Sequence, residues 1–200
     1  MSVLDAVEHI RLHEDPSLMY RHSCHHSSCG TCACKINGKA RLMCTTRVAE
    51  LESEPIILEP LDGLPKRGDL VVDMTGFYGH ISEHWGYLHD LGRDEAQNMP
   101  EGIDTFQRFE ACIECGSCVS ACPVTQKNTE FMGPAALAAI NVELQKSAET
   151  TEELIDAATG EHGERWCERA IECSRVCPTG VAPAKHIQQL RTTLHVRKKR

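Results

Sequence analysis

"CIECGSCVSACP", residues Cys112 to Pro123, sets four cysteines at the spacing C-x2-C-x2-C-x3-C with a proline directly after. Three thiols this close can hold three corners of an iron–sulfur cube, while the fourth, one helical turn on, points toward a second cluster. Such an arrangement needs a reciprocal run. "CERAIECSRVCP", Cys167 to Pro178, repeats the pattern at every position but one, with Ala170 where the second cysteine belongs. Crossing the two runs gives Cys112, Cys115 and Cys118 the thiolate of Cys177, a complete [4Fe–4S] ligand set. The other cluster receives Cys122, Cys167 and Cys173. Three thiolates leave one corner of a cube unligated, and such a cube exists as [3Fe–4S]. The competing reading is a labile [4Fe–4S] site whose open corner takes water, Glu168 or Glu172. Zinc fits poorly, because seven interlocked cysteines do not divide into tetrahedral sets.

Upstream, Cys24, Cys29, Cys32 and Cys44 follow C-x4-C-x2-C-x11-C. The first three spacings are those of plant-type [2Fe–2S] centres, whose fourth cysteine lies further along the chain. A loop wrapping so small a cluster needs backbone freedom, which Gly30 supplies. The alternative is a zinc knuckle. Cys34 is left over and reads as a buried thiol on a strand. His25 and His26 suggest a mixed His/Cys centre, but four cysteines already suffice. Their expected role is a hydrogen bond to cluster sulfur.

Twelve cysteines in 200 residues leave disulfides, zinc or iron–sulfur chemistry as choices. Nothing at the start, Ser2-Val3-Leu4-Asp5-Ala6-Val7-Glu8, reads as an export signal, and disulfides need an oxidising compartment. No apolar run approaches the roughly 20 residues of a membrane span. A formal net charge of −8 argues against nucleic acid as partner. The basic end, Arg197 to Arg200, reads as a solvated tail. Aromatic residues make up only 4%, so the cores should be small and aliphatic, with metal centres helping to hold them together.

Apolar spacing predicts a helix over residues 3–13 burying Val3, Ala6, Val7 and Ile10, with Ser2 and Asp5 as a capping box. Strand-like runs follow at Lys35–Ile36, Leu42–Thr46, Ile56–Leu58 and Leu70–Val72. Thr75–Met99 reads as a connector. Helices are then expected from Pro134 (burying Leu137, Ile140 and Leu144), over Glu152–Thr159 up to Gly160, and from Pro183 (burying Ile187, Leu190 and Leu194). The expected division is a [2Fe–2S] domain over 1–85, a connector over 86–101, and a two-cluster domain over 102–200.

Three unlike one-electron centres with no phosphate loop and no legible Ser/His/Asp set describe a wire rather than a substrate site. The cluster order, the Ala170 gap and "FMGPAAL" (Phe131–Leu137) resemble the iron–sulfur subunit of succinate dehydrogenase and fumarate reductase. "NGKARLMCTT" (Asn37–Thr46), "LEPLDGLPKRGDLVVDM" (Leu58–Met74) and "CPTGVAPAKHI" (Cys177–Ile187) extend the likeness over nearly the whole chain. The resemblance implies an α+β chain, with a β-grasp ferredoxin domain followed by an α-helical ferredoxin domain. It implies electron transfer between an FAD-containing flavoprotein partner and quinone at a membrane anchor or equivalent subunit, on the cytoplasmic face of the membrane. The family's first β-hairpin is expected to be missing, because the sequence enters at the first helix. The family's aromatic residue after Cys-Pro and its histidine after the first cysteine of the last run are missing, those places reading Pro123-Val124-Thr125-Gln126-Lys127 and Glu168. These departures speak against ubiquinone and leave menaquinone or a thiol-linked acceptor, the latter as in the electron-transfer subunit of a related flavoenzyme, which usually carries two full [4Fe–4S] runs. A third class, an iron–sulfur sensor or assembly protein, would want one exposed labile cluster rather than three interlocked ones.

Overall fold

Ser2 opens the first helix, α1 (Val3–His13), through a reciprocal box: its Oγ accepts from the Asp5 N–H at 3.1 Å, and Asp5 Oδ2 accepts from the Ser2 N–H at 2.7 Å. The computed structural model describes residues 1–52, 54–80, 112–146 and 151–198. The expected connector 86–101, and the domain boundaries at 85 and 102, lie outside these. The buried residues of α1 are Val3, Leu4 and Val7, not the expected Ala6 and Ile10. Ile10 is exposed. The reason is tertiary: Val3 and Leu4 donate their N–H groups to the Thr46 and Met43 carbonyls at 2.8 and 3.1 Å. These bonds seat the first half of the helix on the core and leave its end projecting beyond it.

Strand β1 (Ala33–Ile36) turns through Asn37 and Gly38, both at positive φ (51° and 75°), into β2 (Lys39–Leu42). Two consecutive left-handed residues with Asn-Gly are what a tight two-residue hairpin requires. β3 (Leu58–Glu59) pairs antiparallel with the other edge of β1, giving the order β2-β1-β3. The strand expected over Leu42–Thr46 is not formed: β2 lies before it and stops at Leu42, because Thr46 folds back and its N–H and Oγ1 both bond the Leu42 carbonyl at 3.2 and 2.8 Å. That turn frees Cys44 from the ladder. Leu70–Val72 contributes a single bridge, Lys66 to Val72.

The second unit is helical: α3 (Ser117–Ser120), α4 (Gly133–Lys146), α5 (Thr151–Thr159), α6 (Glu172–Arg175) and α7 (Pro183–Lys198), with the short α2 (Thr75–Gly79) ending the first. α4 packs against α7 and α5 through Leu137, Ile140, Leu154 and Leu190, all fully buried. Ile187 and Leu194 are buried as the apolar spacing predicts, and Leu144 is partly so. α4 separates two cysteine groups. Its alanines Ala138 and Ala139 pack with Cys112 and Cys177, and its Leu137 and Ile140 with Cys122 and Cys167. Small side chains on one face let that group approach the helix closely.

The two units share one core. Val119 and Ala135 join Leu4, Ile36, Leu42 and Leu61, and the Asp62 N–H donates to Ser120 Oγ at 2.8 Å. Among the described residues, no helix is long and apolar enough to cross a membrane.

Candidate metal centres

The loop before β1 bends through left-handed residues His25, Ser27 and Gly30, and this turns successive N–H groups inward. Those of His26, Ser28 and Cys29 lie 3.5, 3.2 and 3.3 Å from Cys24 Sγ, and Thr31 Oγ1 lies 2.7 Å from Cys29 Sγ. The His26 N–H, with those of Ser28 and Cys29, brings the Cys24 thiol down to about 7 against the opposing effect of burial. Donors aimed at sulfur favour thiolate, the form that binds iron. Cys32 and Cys44 are neighbours at the other side of the loop. Burial pushes the Cys32 thiol up to about 12, against the Cys44 backbone N–H that favours thiolate and with the Cys44 thiol that opposes it. A buried thiol of this kind ionises only if a cation offsets the desolvation.

The histidines do not do what their positions suggest. The His26 ring faces the Cys24 carbonyl and the His25 ring faces His22 and Glu8. Backbone N–H groups make the sulfur contacts instead. Cys34 is fully buried on β1, and burial, then the nearby Cys32, raises its thiol to about 12.

In the second unit, burial is the largest cause in every raised cysteine, and neighbouring thiols push in the same direction. Cys112 is pushed up to about 11 with Cys115 and Cys177 beside it. Cys118 is pushed well up, with Cys115, Cys112, Cys173 and Cys177 around it. Cys173 rises to about 11 beside Cys122 and Cys167. The fold thus brings together Cys112, Cys115, Cys118 and Cys177 as one group and Cys122, Cys167 and Cys173 as another. Cys118 and Cys173 are where the groups meet.

Cys122, Cys167 and Cys173, with Phe131, Ala170 and Ile187, line a cavity of about 290 Å³. Around Ala170 the backbone copies that around Cys115. Glu114 and Gly116 flank Cys115 at φ 51° and 78°, and Arg169 and Ile171 flank Ala170 at φ 61° and 57°. A short helix follows each: α3 carries Cys118 and α6 carries Cys173. The loop is bent as if to present a ligand, but the side chain is a methyl group. Both carboxylates proposed for that corner, Glu168 and Glu172, line the cavity, and Glu172 is also engaged by Arg175.

Several site residues had no place in the motif reading. Arg191, on α7, donates Nη2 to the Glu164 and Cys167 carbonyls at 2.7 and 3.0 Å and pairs with the Glu164 carboxylate, clasping the Cys167 loop from outside. Thr31, Ser117 and Thr179 each place a hydroxyl near the sulfur two residues earlier, at 2.7, 3.4 and 3.7 Å. A C-x-S/T pattern in the sequence marks all three. Val181 adds an N–H at 3.3 Å to Cys177 Sγ.

The two cysteine loops of the separate units meet at Gly30. A Cβ there would lie 2.5 Å from the Ile113 carbonyl oxygen and 2.8 Å from Cys115 Cβ. Only glycine, at φ +70°, permits this approach.

A family model described as a 2Fe-2S iron-sulfur cluster binding domain matches residues 1–79, and one described as a 4Fe-4S dicluster domain matches residues 108–181. The fumarate reductase iron-sulfur subunit of Mycobacterium tuberculosis is 34% identical over 198 residues, covering 96% of this chain and 80% of the relative. A mitochondrial iron-sulfur subunit of ubiquinone-linked succinate dehydrogenase from Oryza sativa subsp. japonica is 34% identical over 196 residues, covering 94% and 69%. A chain of the Mycobacterium smegmatis Sdh1 complex in the apo form superposes with a TM-score of 0.83 at 27% identity, covering 100% of this chain and 86% of that one.

Proposed function

The chain belongs to the family of succinate dehydrogenase and fumarate reductase iron–sulfur subunits, and we propose how its residues carry electrons through the complex. It is an electron-transfer subunit holding [2Fe–2S], [4Fe–4S] and [3Fe–4S] clusters. Each such cluster, when bound, takes up and releases one electron at a potential set by its type and surroundings. We assign Cys24, Cys29, Cys32 and Cys44 to the first, Cys112, Cys115, Cys118 and Cys177 to the second, and Cys122, Cys167 and Cys173 to the third. The domains divide as 1–85 and 102–200, a β-grasp ferredoxin unit and an α-helical ferredoxin unit.

One observation carries this reading: the ligand groups form a series in space. Gly30 brings the first loop against Cys115 of the second group, and Cys118 neighbours Cys173 of the third. The chain's own residues supply the rest. Backbone N–H groups at Cys24 and Cys177 stabilise negative charge on sulfur, and α4 lays one face on the Cys112 and Cys177 side and the other on the Cys122 and Cys167 side. At one end of the series we place an FAD-bearing flavoprotein, and at the other a quinone-binding anchor. The chain then sits peripherally on the cytoplasmic face of the membrane.

Anaerobic purification of the intact complex should return about nine irons and about ten labile sulfides per chain, as the three cluster types require. It should also show succinate-dependent quinone reduction or the reverse reaction with fumarate. Zinc as the principal metal, or iron near four with no [2Fe–2S] absorption, would overturn the assignment. Reduction of a disulfide acceptor in place of quinone would move the far end of the series to a thiol-linked partner.

A further inference from the structure

Outside the cysteine groups, three ligand-type atoms from two elements converge on one point. Glu8 stands on the exposed side of α1, and His22 and His25 come from the loop around Cys24. His22 Nδ1 lies 3.0 Å from His25 Nε2, Glu8 Oε1 lies 3.2 Å from His22 Nδ1, and Glu8 Oε1 lies 3.5 Å from His25 Nε2. From these atoms we infer that the chain carries a mononuclear site for a divalent transition cation of the zinc class, built from Glu8, His22 and His25.

Protons alone do not satisfy the triangle. If one ring N–H points inward, it serves the other imidazole and leans toward the carboxylate, but the third contact is left between two lone pairs. If both point inward, each can reach Glu8, but two hydrogens then oppose one another across the 3.0 Å nitrogen pair. A single cation satisfies all three contacts at once. The dimensions suit one: a triangle with sides of 3.0, 3.2 and 3.5 Å has a circumscribed circle of about 1.9 Å radius, against zinc–ligand distances of about 2.0–2.2 Å. Glu8, His22 and His25 would hold such an ion and leave its further positions to water.

The donors are held in place before any ion arrives. The His22 ring stacks on Tyr20 at 5.2 Å with an interplanar angle of 21°. Asp5, the other acid on that side of α1, is occupied by the Ser2 cap, so Glu8 is the carboxylate left to the site. Two imidazoles and one carboxylate select borderline divalent ions over magnesium or calcium, which prefer all-oxygen shells. An ion there would pin the Cys24 loop to α1.

The test uses the intact cluster-loaded protein, its iron content checked before and after, titrated with zinc by competition dialysis. One zinc per chain should bind, and the zinc absorption edge should report two imidazoles and only nitrogen and oxygen neighbours. Glu8→Gln and His25→Ala should each weaken binding at least tenfold while the [2Fe–2S] absorption is kept. The double variant His9→Ala/His13→Ala, which removes the other close pair of rings on α1, should bind as the wild type does. Sulfur neighbours at the zinc edge together with iron release would place the ion in a cysteine site and overturn the inference. So would equal binding by Glu8→Gln and His25→Ala, or loss of binding in the His9/His13 variant. None of these outcomes depends on which cluster each cysteine holds.

Discussion

At the scale of one residue, Ala170 is the most informative position. Its backbone has the left-handed flanks that surround Cys115, so the loop already has the shape that presents a ligand there. Ala170→Cys should therefore be accepted without refolding the loop and should convert the three-iron cluster into a four-iron one. The added thiolate brings negative charge, which favours the oxidised cluster and lowers its potential. Electron paramagnetic resonance of the oxidised complex checks this. The wild type should show the three-iron signal and the variant should lose it, while flavin reduction by succinate stays unchanged and quinone reduction slows. A wild type isolated without air damage and lacking that signal would instead carry a four-iron cluster with an outside ligand such as Glu168.

Among the elements, α1 and the α4–α7 pair make opposite points about periodicity. The spacing in α1 put Ile10 inward and missed Leu4, because an eleven-residue helix with apolar residues on several sides needs its docking bonds to choose a face. Leu4→Ala should destabilise the first unit by about 2–5 kcal/mol, as buried leucine truncations do, whereas Ile10→Ala should stay within about 0.5 kcal/mol. Apparent melting of the [2Fe–2S] absorption in matched variants separates the two. In α4 and α7 the apolar spacing was unambiguous, and what it could not reveal was the polar pair buried between them. Asn141 Nδ2 donates to His186 Nδ1 at 3.1 Å, and the His186 ring also bonds the Val181 backbone. Burial first, and the charge of Lys185 second, holds His186 below its ordinary value of 6.5. The unfolded chain then binds the proton more readily than the folded one. Stability from this group is complete above about pH 6.5 and is lost as pH falls below it. His186→Gln should remove that acid-side loss, read as a gap in apparent melting temperature between variant and wild type that changes below pH 6.5 and is constant above it.

For the molecule as a whole, Gly30 decides how closely the two units approach. A methyl group there costs about 1–2 kcal/mol in a left-handed conformation, and it collides with Ile113 and Cys115. Gly30→Ala should part the two cysteine loops, weaken retention of the [2Fe–2S] centre and diminish magnetic coupling between it and its neighbour. Relaxation measurements on the reduced complex test the coupling. Unchanged coupling with full cluster content would mean that the contact at Gly30 does not set the spacing of the first two centres.

Ligand runs are legible in a sequence because they are local: a cluster a few ångströms across takes most of its thiolates from residues three to six apart, and covalent geometry limits what such spacings can wrap. The same locality made Ala170 readable as an omission, and the long apolar stripes of α4 and α7 readable as buried faces. Asn37-Gly38 is a local hairpin signal too, but the apolar spacing alone placed the next strand at Leu42 and missed β2. Other features depend on segments that meet only after folding. The docking of α1 through the Thr46 and Met43 carbonyls, the clasp of Arg191 on the Cys167 loop and the fit of Gly30 against Ile113 are all of this kind. So is the convergence of Glu8 with His22 and His25. Each joins residues far apart along the chain, and spacing carries no record of which distant surface a side chain will meet.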